Sequence, residues 1–245
     1  MKKIAPAGSM LIAAMVALVA LGSGCALTGV SRQDEISAGQ QAAAQIDRRY
    51  RTWDDPTATA VGQRLAAVSQ RPDYPYQFRA IDMKDVNAFA LPGGPVYITS
   101  GMLDFVRGHN DQLAAVLAHE TVHVAHRHAV EQMQRQAWLG VGIAVLTGGS
   151  NTAQAAATLA ANLEELGFSR NQERDADRWG TVYLIRAGDD PNAMVRLLER
   201  LTAQQGNSSF GGFFSNHPGG KERVHSVEQL VQSGQARQQA LSGNG

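Results

Sequence analysis

A single cysteine in 245 residues rules out any disulfide within the chain. Long apolar runs are missing too: the stretch from Met10 to Leu21 is about a dozen residues. A helix needs roughly 20 to cross a bilayer. Neither sign of charge is in excess, with 22 Lys and Arg against 22 Asp and Glu. The absence of a basic stripe argues against a nucleic-acid partner. No internal repeat is visible, so stacked-repeat architectures are excluded. What remains after residue 25 is long enough to fold as one domain around its own core.

The first 25 residues have the layout of an export signal. Lys2 and Lys3 give a positive start, the apolar run follows, and Gly22-Ser23-Gly24 leads to the lone thiol, Cys25. A cysteine in that place resembles the lipid-modified residue of a bacterial lipoprotein. It departs from the usual pattern, because Gly22 rather than a leucine stands three residues before it. The expected organisation is therefore a signal peptide over 1–25 with a lipid anchor on Cys25, and a single domain over 26–245. With such an anchor, the resemblance to lipoproteins implies outer-membrane sorting, which Ala26 fits better than an Asp would.

Along the domain, Ser31 to Arg51 has helical spacing, and Asp55-Pro56 can start a second helix running to about Gln70. Tyr76 to Asp82 alternates as a half-buried strand should. Two further short strands are expected at Val86–Leu91 and Val96–Thr99, around Pro92-Gly93-Gly94-Pro95. Proline and glycine there suggest an edge position, because proline cannot donate to an inner ladder. A long helix follows from Asn110 or Asp111 through His128 to about Trp138. Leu139 to Ala161 reads as a small-residue helical hairpin. Later helices are expected over Ser169–Ala187, Pro191–Gln204 and Lys221–Gln235, with Gly206 to Gly220 as a loop. The fold class is α+β, mainly helical, with a small three-stranded sheet.

Within the long helix stands His119-Glu120-Thr121-Val122-His123. Histidines four residues apart share one helical face, so both imidazoles reach one Zn²⁺. Glu120, beside the first of them, can take a proton from water activated by the metal. A catalytic zinc needs a third protein ligand. Ala129 occupies the place where one known arrangement has a third histidine, which excludes that arrangement. A glutamate from a later helix is the other common solution. Glu173 offers it, with Asp177 one turn further on to fix the tautomer of a ligand histidine. Glu164, Glu165 and Asp175 compete on sequence alone. On a continuous helix His128 lies half a turn from His119 in angle and faces away from the metal. His126 shares the metal face, roughly 10 Å further along.

Ordered blocks around this motif resemble a known family. They are Asn87-Ala88-Phe89-Ala90-Leu91-Pro92-Gly93-Gly94, then the paired-histidine motif with His128 downstream. Ser169-Arg170 leading to Glu173, Ala176 and Asp177 comes next, and His217-Pro218 with Arg223 comes last. The family is the zinc metallopeptidases related to the CAAX-prenyl-protein endopeptidase, including the bacterial HtpX, BepA and LoiP group. Without membrane spans or a helical-repeat domain, the chain looks most similar to the compact lipoprotein members of the LoiP type. The resemblance implies a zincin-type domain holding one Zn²⁺ per chain through His119, His123 and Glu173, with Glu120 as general base. It also implies that His217 lies near the metal, either as an electrophilic helper or as a plug in the open position. Arg223 is expected either to support the oxyanion or to pair with Asp177. Substrate peptide is expected to add to an edge strand around Gly93, Gly94 and Val96.

The function these features imply is a zinc endopeptidase of the bacterial envelope, acting on misfolded or misassembled proteins at the periplasmic face of the outer membrane. The rival expectation is an envelope assembly factor or holdase whose zinc site is latent.

Overall fold

The computed structural model describes residues 30–138 and 167–242. The expectations for the signal segment, Cys25, the 139–161 hairpin, Glu164 and Glu165 lie outside the described residues. From Arg32 onward the chain clusters as one unit.

Helix α1 (Arg32–Arg49) carries acids in its first turn and arginines in its last, complementing the helix dipole. Its buried residues recur every three or four positions, through Glu35, Ala38, Gly39, Ala42 and Ile46. Gly39 is required: a Cβ there would sit 1.8 Å from the Pro92 carbonyl oxygen. The helix thus lies directly on the backbone of the Pro92–Gly94 turn. Strand β1 (Thr52–Trp53) follows, and then α2 (Pro56–Ala67). Asp55 caps α2 by accepting from Ala58 N at 2.9 Å, with proline in the first turn.

The sheet has four strands rather than the expected three, because the two-residue β1 joins it. Its order is β1-β2-β4-β3, where β2 is Gln77–Ile81, β3 is Ala88–Ala90 and β4 is Pro95–Thr99. β4 runs parallel to β2 on one side and antiparallel to β3 on the other. This corrects the edge assignment. Val96 pairs with Phe78 and with Ala90, and all of β4 is buried. Pro95 is tolerated because it opens the strand. Among the described residues the edge strands are β1 and β3.

Helix α3 (Ser100–Phe105) leads to α4 (Asn110–Ala125), which is buried from Gln112 to its end. The expected continuous helix breaks after Ala125. Arg127 adopts φ 61, and α5 (His128–Trp138) starts anew. No glycine or proline causes this break. Arg127 Nε donates to buried Glu35 Oε2 at 2.6 Å, and that tertiary contact accompanies the left-handed backbone. Helix α6 (Arg170–Arg186) opens with a reciprocal capping box between Ser169 and Gln172. Helix α7 (Asn192–Ala203) buries Met194, Leu197, Leu198 and Leu201. The expected loop after Gly206 is largely helical: a 3-10 turn at Ser208–Phe210 runs into α8 (Gly211–Asn216). Phe210 and Phe213, both buried in the main core, hold it there. The last expected helix forms as α9 (Lys221–Gln232), and beyond it, after Gly234 at φ 73, an unexpected short helix α10 (Gln235–Leu241) follows. No described helix is long and apolar enough to cross a membrane.

Candidate metal centre

Helix α4 places His119 and His123 one turn apart, and their Nε2 atoms lie 3.0 Å from each other. Helix α6 packs closely against them. A Cβ on Gly180 would meet His119 N at 3.3 Å and Met194 Cε at 2.9 Å, so the missing side chain permits the approach. That approach brings Glu173, in the first turn of α6, to 3.4 Å from both His119 Nε2 and His123 Nε2. Glu173 is sealed from solvent.

His217, at the end of α8, completes the cluster. Its Nδ1 is 3.1 Å from Glu173 Oε1 and 3.3 Å from His119 Nε2. Four ligand-type atoms, from His119, His123, Glu173 and His217, thus lie within 4.8 Å of one another. The opposite nitrogen of His217, Nε2, lies 3.3 Å from the Ala88 carbonyl oxygen and 3.7 Å from Glu120 Oε1. Phe213 stacks on its ring at 4.9 Å. Glu120 is buried, and its Oε2 has no hydrogen-bond partner.

Charged groups surround this inner set. Asp177 Oδ1 lies 3.0 Å from His119 Nδ1. Arg223 donates to both oxygens of Asp177 at 2.7 Å and pairs with Glu173 Oε2 at 2.7 Å. Of the two roles expected for Arg223, the geometry favours pairing with Asp177: its guanidinium is spent on two carboxylates. Burial alone would raise the Glu173 pKa, but the charges of His217, Arg223 and His119 hold it well below the usual carboxylate range. Burial raises Glu120, and the nearby histidines only partly oppose that. For His119 burial works downward, yet Glu173 and Asp177 together raise it to about 10. Two imidazoles and an ionised carboxylate around one point are the donor set of catalytic zinc, and the cluster fits it.

The structure also shows what sequence reasoning missed. Phe168 stacks on the His123 ring with centroids 3.8 Å apart. His128 does not face away, for its Nδ1 lies 3.0 Å from His123 Nδ1. The angular argument assumed a continuous helix, and the break at Arg127 turns the side chain back. His126 contacts Asp175. Gly93 and Gly94 do not join the centre: a Cβ on either would meet the backbone of Ile36 or Pro75.

A sequence model of peptidase family M48 matches residues 52–231, which contain every side chain of the centre. The chain belongs to peptidase family M48. Its similarity to individual members is substantial. It is 33% identical over 182 residues to the mitochondrial metalloendopeptidase OMA1 of Schizosaccharomyces pombe, covering 72% of this chain and 53% of that protein. It is 35% identical over 190 residues to the beta-barrel assembly-enhancing protease of Escherichia coli, covering 71% and 39%. The OMA1 of Arabidopsis thaliana is 28% identical over 177 residues, covering 72% and 36%. The chain thus spans about a third to a half of the length of these M48 relatives. The buried His/Glu/His cluster fits a single zinc site of the kind typical of M48 peptidases.

Proposed function

We propose that this chain is a zinc-dependent endopeptidase of the bacterial cell envelope that hydrolyses misfolded or misassembled proteins. The observation that carries the reading is the convergence of His119, His123 and Glu173 beside a buried Glu120 whose Oε2 is unpartnered. Those three side chains would hold a zinc ion, which when bound would supply the Lewis acidity for activating water and the peptide carbonyl. Glu120 takes the proton from water as it attacks and returns it to the leaving nitrogen. Its raised pKa suits both transfers. Asp177 fixes His119 in orientation, and Arg223 keeps Glu173 and Asp177 ionised.

Substrate pairing moves to β3. Asn87 and Leu91 hydrogen-bond to β4, so by antiparallel alternation Ala88 and Ala90 turn their backbone groups outward. An extended peptide adding there would use the Ala88 carbonyl that His217 Nε2 now faces. One imidazole therefore blocks both the fourth metal position and the free strand edge. Displaced from it, His217 is the candidate donor to the oxyanion. The seated His217 favours a second reading as well, an assembly factor or holdase with a latent, self-plugged zinc site.

The export-type layout of residues 1–25, with Cys25 as lipid anchor, supports a compact lipoprotein at the periplasmic face of the outer membrane. The similarity to a beta-barrel assembly-enhancing protease supports misassembled outer-membrane proteins as the substrate class. Casein digestion by zinc-loaded wild type, Glu120→Gln and His217→Ala separates the two readings. The enzyme reading expects cleavage by wild type and none by Glu120→Gln; His217→Ala cleaves faster than wild type where the imidazole is only a plug and more slowly where it also donates to the oxyanion. If wild type and His217→Ala are both as inert as Glu120→Gln, the scaffold reading replaces it. Mass spectrometry of the mature N-terminus checks the anchor.

A further inference from the structure

Three side chains that this mechanism leaves unused meet behind His123. His126 at the end of α4, His128 at the start of α5 and Asp175 in α6 bring ligand-type atoms within 4.8 Å of one another. His126 Nδ1 contacts Asp175 Oδ2 directly, and His128 Nε2 lies 3.3 Å from the same oxygen. Taken alone, two imidazoles and a carboxylate would suit a second cation.

The other nitrogen of His128 decides against that. Its Nδ1 is 3.0 Å from His123 Nδ1, a separation that holds one shared hydrogen. His123 turns its Nε2 toward His119 and Glu173, so that atom is its metal ligand. A neutral His123 binding through Nε2 must carry its hydrogen on Nδ1. That hydrogen can only point at a bare Nδ1 of His128, so the hydrogen of His128 sits on Nε2 and points at Asp175. A nitrogen that carries a hydrogen has no lone pair left for a metal. One oxygen of Asp175, Oδ2, faces both His126 Nδ1 and His128 Nε2, as an acceptor must.

We infer that Asp175, acting through His128, positions the zinc ligand His123 as Asp177 positions His119, and that His126, His128 and Asp175 bind no metal of their own. His126 tethers Asp175 from the other side, and Phe168 clamps the His123 ring against rotation. Both ligand imidazoles are thus oriented by carboxylates of one helix that also supplies the third ligand. The helix break at Arg127 acquires a purpose, since a continuous α4 would carry His128 away from His123.

The inference rests on zinc binding at His119, His123 and Glu173, and its test separates the two. Metal-stripped protein is titrated with zinc against a chelating indicator. Wild type is expected to take up one zinc. His128→Ala is expected to bind it about 10- to 100-fold more weakly, the usual loss when a partner of a ligand histidine is removed. His128→Asn, whose Oδ1 replaces Nδ1 as acceptor, is expected to recover most of that loss. Asp175→Ala is expected to weaken binding in the same direction. Nitrogen-15 spectra of zinc-loaded wild type need no variant and are expected to show His128 protonated on Nε2 alone. Wild-type affinity in His128→Ala overturns the inference. So does a second zinc equivalent that His128→Ala and Asp175→Ala both lose, or a His128 protonated on Nδ1. A wild type that takes up no zinc defeats the metal reading itself, and this inference with it.

Discussion

Replacing Arg223 with methionine removes the fixed positive charge between two buried carboxylates while keeping an apolar stem of similar length. Three contacts of 2.7 Å are lost, two to Asp177 and one to Glu173. Both carboxylates are nearly sealed from solvent, so water cannot take the place of the guanidinium. Breaking a buried pair in this way costs about 3–5 kcal/mol. In a domain of this size each kcal/mol moves the melting temperature by about 2–4 °C, so metal-free Arg223→Met should melt about 6–20 °C lower. Zinc places a cation beside Glu173, so the gap between variant and wild type should narrow in saturating zinc. The assay is thermal unfolding followed by circular dichroism, first with a chelator and then with zinc. A metal-free variant melting no lower than wild type would mean that the two carboxylates do not depend on Arg223. The charge account of the centre would then be wrong.

Three further outcomes are expected. Glu120→Gln should keep zinc uptake at one per chain while casein cleavage falls by about 10²–10⁴, measured on matched metal-loaded samples. Gly180→Ala should destabilise the protein by about 1–3 kcal/mol in urea unfolding. Met194 Cε can yield to the new Cβ, but the His119 backbone at 3.3 Å cannot, so zinc affinity should fall as well. Asp111 opens α4 and pairs with Arg196; against the upward effect of burial, that hydrogen bond lowers its pKa. A lowered carboxylate stabilises above its unfolded pKa of about 3.9 and loses that effect as pH falls through the folded value. Asp111→Asn should therefore cost under about 1 kcal/mol at neutral pH and nothing in strong acid, read from unfolding midpoints at the two pH values.

The convergence of these side chains was legible because its geometry is local. His119 and His123 need only a helix, and Glu173 and Asp177 need only a second helix with the same spacing. The errors came where distant residues decide. His128 was misplaced because the break after Ala125 accompanies a contact with Glu35, far back in α1, and carries no glycine or proline as a signal. Pro92 and Pro95 at its start suggest an edge for β4, but spatial order differs from chain order, and the parallel pairing with β2 puts β4 inside. β1 is two residues long, too short to show an alternation. The helix at Gly211–Asn216 has poor local propensity and is held by Phe210 and Phe213 in the core.

Glu35 gives the domain a boundary that family comparison does not draw. The M48 match begins at residue 52, yet this carboxylate accepts from Tyr74 Oη, Gly93 N and Arg127 Nε at 3.2, 3.2 and 2.6 Å. A fragment trimmed to the matched stretch would delete one acceptor that serves three separate segments, one of them next to the histidine pair. Expression of such a minimal fragment should give a protein loosened around the histidine pair, whereas starting at Arg32 keeps α1 and Glu35 in place.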